Sequence, residues 1–181
     1  MKTLPEPLAD HLIIRLLTGQ DISSIADAFT TLGWNKPASQ YEQYLAEQQA
    51  GARVVLIALF DHDFAGYVTI VWHSHYPPFA AAQIPEIVDF NVLPHYRQRG
   101  IGSRLMDEAE RRIAVRSSVV GIGVGLYRDY GAAQRMYVKR GYVPDGRGVY
   151  YDTDQVQPGQ RVPVDDSLAL FFTKALGENG G

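Results

Sequence analysis

Apolar runs and amphipathic stretches alternate along this chain, and their two periods predict most of its elements. Leu12 to Leu17 (LIIRLL) is a short apolar run read as a first strand. Asp21 precedes Ile22, Ile25, Ala26 and Phe29, which recur with helical spacing, so it is the predicted N-cap of a helix that Gly33 stops. Ser39 and Glu42 have the spacing of a capping box and predict a second helix reaching about Ala50. Val54 to Phe60 (VVLIALF) is almost continuously apolar, as a strand covered on both faces would be. The polar turn Asp61-His62-Asp63 joins it to a second such run, Gly66 to Trp72, as a hairpin. His73 to Pro85 holds three prolines and reads as a loop.

Glu86 to Leu93 is a fourth strand, stopped by Pro94, which lacks the amide a ladder needs. Leu105, Met106, Ala109 and Ile113 then fall on one side of a helix over 103–116, with Asp107, Glu108, Arg111 and Arg112 largely on the other. Val119 to Tyr127 is a fifth strand with glycine at alternate positions. Asp129 caps a helix of about 131–140 that ends at Gly141. Gly148 to Tyr151 and Leu168 to Lys174 are the last strands, and the polar stretch between them has room for a small hairpin. The order is mixed α/β (α+β), with strand–helix–strand units at its centre. Neither a repeat nor a linker interrupts it, so residues 1–181 read as a single domain with a frayed tail at about 177–181.

Composition narrows the function. Lys and Arg number 17 against 20 Asp and Glu, a formal net charge of −3, which argues against a nucleic-acid binder. The absence of cysteine removes a disulfide framework, a thiolate zinc site and a cysteine nucleophile together. The opening MKTLPEPLADHL has no signal-peptide pattern and no apolar run approaches a membrane span, so a cytoplasmic protein without membrane contact is expected. His73 and His75 could share a strand face, but no third ligand is suitably spaced, and no metal is expected. Gly121, Gly123 and Gly125 have strand period and suit close backbone packing better than phosphate binding. Trp34, Tyr41 and Tyr44 read as core packing.

The stretch with chemistry in it runs from Val92 to Ser103 (VLPHYRQRGIGS). A strand ends, a short loop carries Arg97 and Arg99, and Gly100 and Gly102 sit where a helix begins. Helix N-termini expose unpaired amides at the positive end of the dipole, and glycines let a phosphate approach them. The arrangement is a candidate phosphate or pyrophosphate cradle, though a plain glycine turn with two solvated arginines has the same letters. No Gly-Lys-Ser/Thr follows, so a P-loop is excluded, and the spacing does not fit a dinucleotide fingerprint.

Here the chain resembles the GNAT superfamily of N-acetyltransferases. Arg97, Gly100 and Gly102 match its [Q/R]-x-x-G-x-[G/A] cofactor motif, and Val92, Pro94 and Tyr96 match the usual lead-in. Downstream, Ala133, Tyr137, Gly141 and Tyr142 match its A-x-x-x-Y-x-x-x-G-[FY] helix. The likeness is good from about Val54 to Tyr142. It implies a mixed, mostly antiparallel sheet of about seven strands flanked by about four helices, with the fourth and fifth strands splayed apart. It also implies an acyltransferase whose cofactor is acetyl-CoA. The amides of Gln98, Arg99, Gly100, Ile101, Gly102 and Ser103, with Arg97, would hold the pyrophosphate of coenzyme A. The backbone of Asn91, Val92 and Leu93 would pair with the pantetheine arm, and an amide there, that of Val92, would face the thioester carbonyl. Ala133 lies on the cofactor helix. Many members carry Asn where this chain has Tyr130, which leaves the pantetheine contact at that position to a tyrosine.

The same resemblance assigns Tyr137 as the acid that protonates the departing thiolate. The base is open. Glu86, six residues before Val92, has the spacing of the base in the histone-acetylating branch. Asp89 is the other carboxylate on the strand, and a water chain serves in many members. Three residues' separation puts Glu86 and Asp89 on opposite faces of a regular strand, and a bulge near Asp89 would change that parity. The expected reaction is direct attack of a primary amine in a ternary complex, with a small-molecule amine as acceptor. A protein N-terminus or lysine is the alternative acceptor, and a non-catalytic acyl-CoA sensor the alternative function. Dimers are common in the family, so a homodimer stands beside the monomer as an expected state.

Overall fold

A computed structural model describes residues 11–177. The N-terminal residues 1–10, where no leader was expected, and the expected fraying at 178–181 lie outside the described residues. The strands are β1 (Leu12–Leu16), β2 (Arg53–Phe60), β3 (Asp63–Val71), β4 (Glu86–Val92), β5 (Val119–Gly125), β6 (Val143–Tyr151), β7 (Asp154–Gln155) and β8 (Leu168–Ala175). The helices are α1 (Ile22–Thr31), α2 (Ala38–Gln49), α3 (Pro77–Ala82), α4 (Ile101–Ala114) and α5 (Gly131–Lys139). Two compact units divide the chain. One takes the described part of Met1–Ile70 with Asp89–Ala109, the other Val71–Val88 with the described part of Glu110–Gly181.

In the first unit the strand order is β1-β2-β3-β4, and in the second β4-β5-β8-β6-β7, so β4 belongs to both. Pairing is mostly antiparallel: β1 lies against β2 from Leu12↔Phe60 to Leu16↔Leu56, and β5 against β8 from Val119↔Ala175 to Gly125↔Ala169. The parallel ladder of β4 and β5 consists of two pairs, Glu86↔Gly121 and Ile87↔Ile122. The fold is mixed α/β, as the resemblance implied.

Local chemistry explains the elements. Asp61 and His62 both have positive φ, 51° and 73°, which is the backbone a tight two-residue hairpin requires between β2 and β3. Val55 to Ala58 in β2 are fully buried, in keeping with their unbroken apolar run. In α4, Ile101, Leu105, Met106, Ala109 and Ile113 form one buried stripe. The core of the first unit gathers Ile25, Phe29, Tyr41, Val55, Phe64 and Tyr67; burying each large apolar side chain stabilises the fold by about 1.5–3 kcal/mol. In the second unit Tyr76, Phe79, Tyr150 and Phe171 pack as a separate aromatic cluster.

Five expectations need correction. β6 begins at Val143 instead of Gly148, and α5 has Tyr130, not Asp129, at its N-cap, without a side-chain cap bond. The segment 73–85 is not all loop, because Pro77 and Pro78 occupy the first turn of α3, where a missing amide does no harm. The Ser39–Glu42 capping box is not used: α2 starts at Ala38 behind Pro37, without a side-chain cap. Asp21 stands at the N-cap of α1 but makes no cap bond there. Its carboxylate instead accepts from both Arg15 terminal nitrogens at 2.8 and 2.7 Å and from the Thr18 amide at 2.8 Å. Burial alone would raise its pKa, but these donors hold it down at about 2.

Candidate active site

In the first unit, β4 runs out at Val92 and the chain turns at once. Leu93 is buried, and its amide donates to the Ala65 carbonyl at 2.9 Å, which fastens the strand end to β3. A one-turn helix, Pro94–Tyr96, follows. Gln98 and Gly100 then both adopt left-handed backbone, φ 61° and 80°. Such a conformation is free for glycine but strained for glutamine, and strain of this kind collects at ligand sites. Ile101 is buried and anchors α4. The Arg104 amide donates to the Gly100 carbonyl at 3.1 Å and closes the first turn of α4, so Ile101 and Gly102 lie in that turn ahead of its first i→i−4 bond. A Cβ on Gly102 would come to 3.1 Å from the Phe90 ring and 3.6 Å from Val92, so glycine keeps this turn close to β4.

The two arginines are partly committed. Arg97 Nε donates to the Val92 carbonyl at 3.0 Å, and its guanidinium lies 6.0 Å from the Trp34 ring. That of Arg99 stands over Phe60 at 5.4 Å and over Tyr96 at 5.7 Å. Both residues are exposed. The loop therefore offers amides, a helix N-terminus and two cations together.

On the same unit Asp89 interrupts β4 with φ 45°, so the strict alternation of the strand fails there. Lys36, Gln40, Tyr44, Tyr67 and Asn91 all donate to its carboxylate. Only the one-turn separation of Gln40 and Tyr44 hints at this gathering in the letters. Tyr44, read as core packing, is half-buried, and its hydroxyl belongs to this cluster. Burial next to Asp89 pushes the Tyr44 phenol up to about 12.

In the second unit Glu86 opens β4 and is only 6% exposed. The Ser74 hydroxyl donates to its Oε2 at 2.5 Å, and the Tyr76 amide donates to Ser74 Oγ at 2.9 Å. Burial pushes the Glu86 carboxyl up to about 7, against the pull of the Ser74 hydrogen bond. Ser74 is the partner that sequence reasoning missed; it stands between His73 and His75, both exposed.

Tyr137 sits on α5, 4% exposed, with its ring 5.9 Å from that of Tyr142. Burial alone raises its phenol above the ordinary range. Its phenol carries one O–H that can be donated. Ala133 lies one turn earlier on the same helix, half-buried. The Tyr130 hydroxyl donates to Asp166 at 2.9 Å, and its ring lies over Gly125, where a Cβ would come to 2.5 Å. Gly121 and Gly123 likewise make room for Phe79 and Phe171, which accounts for the alternate glycines of β5. Among the described residues no three His, Asp or Glu side chains are gathered as a metal-ligand set, and no helix is long and apolar enough to cross a membrane.

A strand that ends in a glycine-led helix N-terminus and a downstream helix carrying a buried tyrosine coincide with one sequence family. The model of the acetyltransferase (GNAT) family matches residues 20–142. The chain belongs to the GNAT acetyltransferase family. As a GNAT protein it is an acyltransferase, and solved GNAT structures share its fold. An N-acetyltransferase from Staphylococcus aureus Mu50 matches with a TM-score of 0.68 and 15% identity, over 92% of this chain and 99% of that one. A Salmonella typhimurium acetyltransferase that modifies the N-terminal serine of ribosomal protein L7/L12 matches at 0.69 and 10%, over 94% and 98%. YncA of Salmonella typhimurium, solved with its cofactor acetyl-CoA, matches at 0.60 and 20%, over 94% and 97%. Identities this low show the fold alone. No curated protein is significantly similar in sequence.

Proposed function

We propose that this GNAT acetyltransferase moves an acetyl group from acetyl-CoA to the primary amine of a small molecule by direct attack, in the cytoplasm. The observation that carries the reading is the carboxyl of Glu86, buried, bonded to Ser74 and poised at about 7. A base must be largely ionised at working pH yet able to hold a proton, and a carboxyl near 7 meets both conditions. It stands on the strand that leads into the glycine loop.

The loop suits a pyrophosphate. The amides of residues 98–103 lie at a helix N-terminus, Gly102 keeps the turn tight, and Arg97 and Arg99 supply positive charge. The backbone of Asn91, Val92 and Leu93 would hold the pantetheine arm as a strand would. Acetyl-CoA supplies an acetyl group on a thioester, whose leaving group is a thiolate. Glu86 takes the proton that the attacking ammonium must lose, and the amine nitrogen then forms the new amide bond. The Val92 amide would face the carbonyl oxygen and stabilise the charge that builds on it. Tyr137 gives its proton to the departing thiolate, and its burial leaves the phenol protonated at neutral pH. Tyr130, whose hydroxyl is engaged by Asp166, would offer its ring rather than an amide to the cofactor arm.

The test is thermal stability with coenzyme A, acetyl-CoA and ATP, followed by thiol release over a panel of amines. A ligand at 100 times its Kd stabilises by about 2.7 kcal/mol, so Tm should rise by roughly 5–10 °C with the two coenzyme A ligands and not with ATP. Turnover with small amines supports the reading. Turnover confined to peptide N-termini or lysines moves the acceptor to proteins. Stabilisation without turnover on any acceptor makes the domain an acyl-CoA sensor.

A further inference from the structure

Asp89, the second candidate base, is half-buried and held by an unusual number of donors. A carboxylate has about four lone-pair sites, and this one receives five donors. Oδ1 accepts from Lys36 Nζ at 2.7 Å and from Asn91 Nδ2 at 3.0 Å. Oδ2 accepts from Tyr67 Oη at 2.5 Å, from Tyr44 Oη at 2.9 Å and from Gln40 Nε2 at 2.9 Å. Lys36 also donates to the Tyr67 hydroxyl at 2.9 Å, and its ammonium lies 5.8 Å from the Phe29 ring and 5.5 Å from that of Tyr67. The side chains of Lys36 and Asp89 are each 19% exposed.

Asn91 lies on β4 itself, and the other four donors come from three places. Lys36 lies between α1 and α2, Gln40 and Tyr44 lie on α2, and Tyr67 lies on β3. All converge on a residue whose backbone is left-handed in mid-strand. That conformation turns the residues after it, Phe90 to Leu93, out of the register a regular strand would give them. Immediately beyond, β3 comes unusually close: a Cβ on Gly66 would lie 2.5 Å from the Asn91 carbonyl oxygen and 3.0 Å from Val92 Cα. The path of residues 90–93 is therefore fixed at one end by the side-chain cluster and along its flank by a missing side chain.

We propose that Asp89 is a positioning residue: its carboxylate, clasped from α2 and the preceding loop, sets the backbone edge of Asn91–Leu93 to receive the acyl-CoA arm. The proposal rests on the acetyltransferase reading above. It makes the α1–α2 segment a determinant of cofactor affinity although none of its residues lies in the cofactor motif.

The experiment compares the wild-type chain with Asp89→Gly, Asp89→Ala, Lys36→Met and Tyr44→Phe. Coenzyme A binding is read by calorimetry, and kcat and KM for acetyl-CoA are read across pH. Asp89→Gly is the decisive variant, because glycine takes the left-handed backbone without strain yet has no clasp. Kd and KM should rise about ten-fold or more in both Asp89 variants, the scale of one or two lost hydrogen bonds. Lys36→Met and Tyr44→Phe should shift Kd in the same direction by a smaller factor. In Asp89→Gly the acid limb of the kcat profile should keep its wild-type midpoint. Wild-type Kd in Asp89→Gly would overturn the proposal, since the backbone conformation alone would then suffice. Loss of the acid limb in that variant would overturn it too, by making Asp89 the base. Failure of the wild-type chain to bind coenzyme A would sink the acetyltransferase reading, and the proposal with it.

Discussion

Replacing Glu86 by glutamine separates what this carboxyl does for the reaction from what it does to the fold. In the folded chain its pKa stands at about 7 instead of the ordinary 4.5, because burial disfavours the charged form. A carboxyl with a raised folded pKa works against stability when ionised. Between pH 4.5 and about 7 the folded state binds the proton more tightly than the unfolded chain, so stability falls as pH rises through that window. Above it the loss is complete and amounts to about 3 kcal/mol, taking 1.36 kcal/mol per pKa unit. Glutamine has the same shape, carries no charge and can still accept from the Ser74 hydroxyl. The variant should therefore match wild type near pH 4.5 and melt roughly 5–10 °C higher at pH 8. Its kcat at neutral pH should fall by about 100-fold or more, the usual share of general base catalysis. Melting curves over the pH range, with thiol-release kinetics on the same samples, read both quantities. A variant no more stable than wild type at pH 8 would refute the claim that a buried, near-neutral carboxyl sits here. A variant that gains stability and keeps its full kcat would refute its role as base.

Tyr137→Phe should lower kcat by about 10- to 100-fold while leaving the Kd of acetyl-CoA within a small factor, since only the proton donor is removed; stopped-flow thiol detection with parallel calorimetry checks it. Gly66→Ala should lower Tm by several degrees and weaken coenzyme A binding, because the new methyl meets β4 backbone at 2.5 Å and overpacking of this kind costs about 1–3 kcal/mol. Glu110 is buried among Arg140 at 3.0 Å, Lys174 at 2.7 Å and the Tyr142 hydroxyl at 3.1 Å. Burial alone would raise its pKa, but these partners hold it below the ordinary carboxylate range. Its stabilisation is thus present above the unfolded pKa and lost as pH falls through the lower folded one. Glu110→Gln should cost about 2–3 kcal/mol at pH 7, with part of the charge lost to solvent screening, and the gap to wild type should close in acid; urea melts at both pH values test it.

The parts of this fold that were legible from the letters are those in which the cause is local. The run VVLIALF and the turn after it specify β2 and its hairpin because burial on both faces and two left-handed residues are properties of neighbouring positions. The stripe Leu105, Met106, Ala109 and Ile113 specifies α4 in the same way. Where prolines meet small residues, as in α3, the local signal is ambiguous, because proline both ends strands and opens helices. β6 begins at Val143, ahead of the expected Gly148, because Gly146 and Gly148 have positive φ and interrupt the alternation a strand would show. In the site, the glycine loop and Tyr137 could be found by spacing. The environments of the two carboxylates could not. Ser74 meets Glu86 across a loop and a short helix, and the donors around Asp89 come from as far back as Lys36. Nothing in a lone aspartate on a strand says that five groups will converge on it. The same long-range packing leaves the Glu86 carboxyl with the Ser74 hydroxyl and brings five donors to Asp89.

The proposed reaction is acetyl transfer from acetyl-CoA to a primary amine with Glu86 as base. The most direct test is to follow thiol release and the acetylated amine together, by mass spectrometry, with wild type and Glu86→Gln across pH. One amide should form per thiol released by the wild type. The rate should rise through a midpoint near 7 and collapse in the variant, with coenzyme A still bound. Thiol release without an acetylated amine, or an unchanged pH profile in Glu86→Gln, would contradict it.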